Sequence, residues 1–130
     1  MARPGIKQPY VIEDLGIDET FLPDELKLQP QLYAKYAQKA AETRRALLLK
    51  EIELDEKEAL VAKDYREANA HNKVTENMVR EHVRTHPEIL KLKREVAELK
   101  AEYDLAVGLR TAFGQRATML ELLTRMNLGG

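Results

Sequence analysis

Hydrophobic positions follow helical steps over most of this chain. From Pro30 to about Ala70 no further proline and no glycine interrupts the pattern. Tyr33, Tyr36, Ala40, Leu47, Leu54 and Val61 recur at three-, four- and seven-residue steps, as the seam of a coiled coil does. Leu48, Leu49, Ile52 and Leu60 lie off that line and widen the apolar face. The spacing predicts a long helix over about 30–70, with Pro30 in its first turn. The polar run HNKVTENM, from His71, predicts a turn and then a short helix over about 75–84. A third helix is expected over about 87–126, where Ile89, Leu92, Val96, Leu99, Tyr103, Ala106, Phe113, Ala117 and Leu120 repeat at helical spacing and Arg110 interrupts them.

A second stripe appears late in that helix: Leu105, Leu109, Ala112, Met119, Leu123 and Met126. One partner helix in the same chain covers one face, so the other predicts a contact between subunits. The candidate oligomerisation residues are Leu105, Leu109, Ala112, Phe113, Met119, Leu120 and Leu123. Forty helical residues extend roughly 60 Å, about twice the diameter of a small domain. Two such helices in a chain of 130 residues make a thin structure that buries little surface alone. The expected fold class is therefore all-α: a long antiparallel helical hairpin with a short connecting helix, assembled as an oligomeric coiled-coil-like bundle. Gly108 and Ala112, four apart, are either a small surface for close approach of another backbone or a tolerated weak spot.

The segment before the first helix reads differently. Pro4-Gly5, Pro9 and Gly16 mark turns, so residues 1–22 are expected to form an extended or partly disordered arm. Val11, Ile12, Leu15 and Ile17 give that arm apolar side chains with which to dock. PDELKL, from Pro23, suits one or two helical turns, and residues 23–130 form the expected helical domain.

Composition narrows the function. A third of the residues are charged and only 5% are aromatic, which favours long helices over a sheet. The net charge is -1, so no global basic field attracts nucleic acid or membrane, and any such binding uses local patches. With no cysteine and no serine, thiolate chemistry and the commonest hydrolase nucleophile are excluded. MARPGIKQPY lacks the apolar run of a signal peptide, and no stretch approaches bilayer length, so the reading is a soluble intracellular protein.

EHVRTHPE holds His82 and His86, four apart and flanked by acids. Pro87 disfavours helical geometry at His86, so a helix boundary falls between the two. Thr85 with Glu88 forms one possible capping box; His86 before Pro87 is the other possible cap. A zinc-protease helix needs Glu directly after its first His, and Val83 stands there instead. No metal site, no cofactor and no catalytic residue is expected, and the protein is read as a non-enzyme.

The acidic block Glu51, Glu53, Asp55, Glu56 and Glu58 reads as a solvated face. After it come Lys57, Lys63, Arg66 and Lys73, with Tyr65 among them. Basic side chains beside an aromatic suit single-stranded nucleic acid, where cations follow phosphates and a ring stacks on a base. Glu58, Asp64 and Glu67 are interleaved, and Lys63 with Glu67 also reads as an i,i+4 pair. The DNA-binding candidates are Lys57, Lys63, Tyr65 and Arg66.

From about Ile17 to Leu123 the chain resembles the phage recombination mediators of the UvsY type. IDETFLPDELKLQPQLYAKYAQ resembles the family's N-terminal region. EALVAKDYRE resembles its basic segment, and RTHPEILK with AEYDLAVGLRTAFGQRATMLELL resembles its C-terminal helix. The family's basic segment carries two basic residues two apart; Lys63 matches the second, and Val61 stands at the first. The resemblance implies a ring-like homo-oligomer of the hexamer or heptamer class, with oligomerisation through the C-terminal helix. It also implies binding of single-stranded DNA, and partnership with a RecA-like recombinase and a single-strand-binding protein. The implied location is the cytoplasm of an infected bacterial cell, with roles in DNA recombination and repair. The rival reading is a non-enzymatic coiled-coil scaffold or virion assembly protein. An adaptor docking through its N-terminal arm is a further rival.

Overall fold

In the computed structural model, which describes residues 12–129, the chain is all-helical. Three α-helices pack together: α1 (Leu22–Ala68), α2 (Glu76–Thr85) and α3 (Pro87–Gly129). Among the described residues no helix is long and apolar enough to cross a membrane.

The helix start expected at Pro30 is corrected: α1 begins at Leu22 and passes through Pro30. An interior proline removes one hydrogen bond and crowds the preceding turn. Anchoring of the flanking residues holds the helix through it. Leu22 and Leu32 are buried, and the Gln29 side chain donates to the Phe113 carbonyl at 2.7 Å. At the other boundaries local chemistry decides. Thr75 is extended and its hydroxyl accepts from the Met78 N–H at 3.2 Å, which starts α2. His86, also extended, ends α2, and its Nδ1 accepts from the Glu88 N–H at 3.2 Å. Of the two caps open in the sequence, His86 before Pro87 is the one formed. Thr85 belongs to α2, and its hydroxyl donates to the Glu81 carbonyl.

The chain divides into two compact units. One takes residues up to Thr43 together with those from Tyr103 onward; the other is Arg44–Glu102. The first has a core of Leu32, Tyr36, Ala40, Ala106, Leu109 and Phe113. Tyr36 and Phe113 stack with ring centroids 4.4 Å apart, and both are fully buried. The Tyr36 hydroxyl has a partner, donating to Asp14 at 3.0 Å. Tyr33, expected in the seam, is instead substantially exposed.

Residues 1–11 of the expected arm, Val11 included, lie outside the described residues. The segment from Ile12 to Phe21 belongs to this unit. Short 3-10 turns form at Ile12–Leu15 and Glu19–Phe21, and Leu15 packs against the core. Asp18 starts the second turn by accepting from the Thr20 N–H and hydroxyl, and these bonds hold its carboxyl below the usual range. Arg116 fastens the segment. Its guanidinium donates to the Gln29 side chain at 2.7 Å, to the Gly16 carbonyl at 3.0 Å and to Glu25.

This changes the reading of the second apolar stripe on α3. Residues 15–20 and Glu25 form the walls of a groove with Met119 and Leu123, so the chain itself covers part of that face. Leu109, Phe113 and Leu120, expected at a subunit contact, are buried within the chain. Ala112 and Leu123 are half-buried; Leu105 and Met119 are exposed. Leu122 and Met126 extend the exposed set, Met126 at 70%. A Cβ added at Gly108 meets nothing within 4 Å, so this glycine is not needed for packing inside the chain.

In the second unit the buried residues are Leu47, Val61, Val79, Ile89 and Leu92. Leu48, Leu49, Ile52 and Leu60 remain exposed.

Candidate nucleic-acid interface

All four DNA-binding candidates lie in the second unit, on the last three turns of α1. At 3.6 residues per turn they fan around the helix: Arg66 lies roughly opposite Lys57, and Lys63 about 120° from Lys57. No single face gathers them. Val61 is 6% exposed, which explains why this position carries no charge: a cation there would be desolvated in the core.

Each candidate has a partner. Lys57 pairs with Glu88. Lys63 pairs loosely with Glu67, at 3.9 Å, the i,i+4 pair visible in the sequence. Arg66 donates to both carboxylate oxygens of Glu76, at 3.2 and 3.3 Å. Tyr65 stacks on His82, with centroids 4.3 Å apart and planes 20° apart, so one face of the ring is already occupied. His86 meets His82 edge-on at 5.8 Å. The two histidines therefore serve packing and capping. Among the described residues no group of three or more His, Cys, Asp or Glu is placed to hold a metal ion.

A groove of about 520 Å³ runs beside Lys57. It is lined by Lys50, Lys57 and Lys91 but also by Glu53, Glu56, Glu88 and Glu95, with Leu60 and Leu92 between. Acids outnumber bases, so the groove does not suit a phosphate chain. Most of its charges are paired within the unit; among the described residues Glu56 and Lys91 make no ion pair. Lys50 pairs with Glu53 at 3.0 Å and Glu95 at 3.1 Å, and these raise its pKa. The Lys57 ammonium holds the Glu88 carboxyl below the usual range. A lowered carboxyl pKa contributes stability above the unfolded value and loses it as pH falls through the folded one. Both pairs keep substantial contact with solvent, so the contribution is small.

Reading the sequence missed the exposed cations at the start of α3. Lys93 and Arg94 make no ion pair among the described residues, and Lys91 lines the groove. The signal was present in KLKRE, but helical periodicity read that stretch only for Leu92 and Val96. No family model, curated protein or solved structure matches the chain.

Proposed function

We propose that this protein is a non-enzymatic recombination mediator that binds single-stranded DNA and helps a RecA-like recombinase replace a single-strand-binding protein. In this reading the chain is a long antiparallel hairpin, joined into a ring through the exposed apolar face of α3. The observation that supports self-association is the set Leu105, Met119, Leu122 and Met126, all exposed on a helix that also buries Ala106, Leu109, Phe113 and Leu120. A chain that leaves such a set open favours self-association.

The ion pairs on Lys63 and Arg66 do not oppose DNA binding. Exposed pairs are worth about 0–1 kcal/mol, so a phosphate exchanges for Glu67 or Glu76 at little cost. Contact by one subunit is weak, and repetition around a ring multiplies it. Binding through phosphates weakens steeply with salt. The test is fluorescence anisotropy of labelled poly-dT with the full chain and with K63E/R66E. The double variant is expected to weaken low-salt binding at least about tenfold, the loss of two phosphate contacts with added repulsion, while sedimentation of the oligomer is unchanged. Equal affinity in variant and parent contradicts the role of these residues; affinity indifferent to salt contradicts the mechanism.

The scaffold reading draws support from one observation. Lys57, Lys63 and Arg66 are all paired with acids, as on a purely structural helix. The absence of poly-dT binding at low salt is the result that selects it.

A further inference from the structure

The outward face of α1 in the second unit carries a pattern that the DNA reading does not use. Leu48, Leu49 and Ile52 are 46%, 54% and 53% exposed, three large apolar side chains within five positions. Arg44 and Arg45 precede them, and Asp55 and Glu56 follow. At 3.6 residues per turn, Arg44, Arg45, Leu48, Ile52, Asp55 and Glu56 fall within a sector of about 120°. All are exposed, and none of the four charges makes an ion pair among the described residues. The opposite side of the same turns behaves differently: Lys50, Glu53 and Lys57 are all paired within the unit. Uncommitted charge is concentrated on the side that also exposes apolar surface.

The order of these residues is self-complementary. Leu48 and Ile52 stand equally far on either side of Lys50. So do Arg45 and Asp55, and so do Arg44 and Glu56. We infer that this face is a contact between two copies of the chain, set antiparallel about a twofold axis level with Lys50. That arrangement lays Leu48 of one copy against Ile52 of the other. It brings the Arg44–Arg45 pair of each copy beside the Asp55–Glu56 pair of its mate, as an isologous interface requires. A parallel arrangement sets like charges together and is disfavoured. A polyanion is attracted by one end of the face and repelled by the other, which leaves a second copy as the occupant whose charges fit.

The contact is small against the roughly 1,200–2,000 Å² buried in stable complexes. It therefore acts as a weak link strengthened by repetition. It stands independently of DNA binding.

The chain has no cysteine, so engineered thiols report the register without background. The full-length variants L48C and I52C are oxidised separately and as a mixture, and the cross-linked peptides are mapped by mass spectrometry. The disulfide joining an L48C chain to an I52C chain is expected to dominate the mixture. Adding R44E/R45E to both variants is expected to cut its yield at least about tenfold through like-charge repulsion. Adding D55R/E56R to those same chains swaps every charge and is expected to restore it. Circular dichroism of each variant verifies that helix content is kept. Equal yields in the three samples, or a yield indifferent to R44E/R45E, overturns the inference.

Discussion

Replacing Arg116 by methionine is expected to destabilise the protein by about 3–5 kcal/mol, the usual cost of breaking a buried ion pair from one side. The Arg116 side chain is 2% exposed and that of Glu25 16%. Removal of the guanidinium strands the Glu25 carboxylate, the Gln29 amide oxygen and the Gly16 carbonyl together. The first turns of α1 and the segment before them lose their common anchor. The control is the double variant E25Q/R116M, which removes the stranded charge as well. It is expected to cost clearly less than R116M alone, because much of the single-variant loss is an unpaired carboxylate rather than the net worth of the pair. Urea unfolding followed by circular dichroism, at one fixed protein concentration, measures both. A loss under about 1 kcal/mol for R116M, the range of an exposed pair, contradicts the buried network.

The second large effect is expected from Phe113→Ala. Its ring is fully buried and stacked on Tyr36, so truncation opens a cavity in the centre of the first unit and costs about 3–5 kcal/mol. Phe113→Leu keeps most of the volume and loses chiefly the stacking, worth about 0.5–1.5 kcal/mol. The pair of variants also locates Phe113 relative to the subunit contact. A residue buried within its own chain lowers the unfolding midpoint when truncated. A residue at the subunit contact instead lowers the association constant while the separated subunit keeps its stability. The first outcome is expected, at matched concentration, since oligomerisation itself shifts apparent stability.

These residues mark where sequence reading succeeds and where it stops. The α2 start and the α2–α3 boundary were legible because their causes are local: Thr75 caps within one turn, and His86-Pro87 bars a continuous helix. Pro30 misled because its cost is local, while the neighbouring Gln29 is anchored on the Phe113 carbonyl, far along the chain. The second stripe on α3 was legible as apolar, but not that residues 15–20 cover part of it. Arg116 stands in that stripe's own register, four positions after Ala112 and three before Met119. A cation inside an apolar row is the one signal that could have announced a buried acid nearby. For the basic segment, the sequence displayed Lys57, Lys63 and Arg66 but not their spread around α1. Nor did it show that Glu88 and Glu76, from later helices, pair with two of them. Tyr65 was legible as a ring among cations, and its stacking on His82 depends on how α2 returns against α1 within the unit.

The most direct test of the proposed mediator is multi-angle light scattering of the purified full chain, alone and with poly-dT, at low and at high salt. A ring-sized oligomer is expected in both salts, bound to the strand at low salt and released from it at high salt. A monomer, or an oligomer that ignores the strand at low salt, contradicts it.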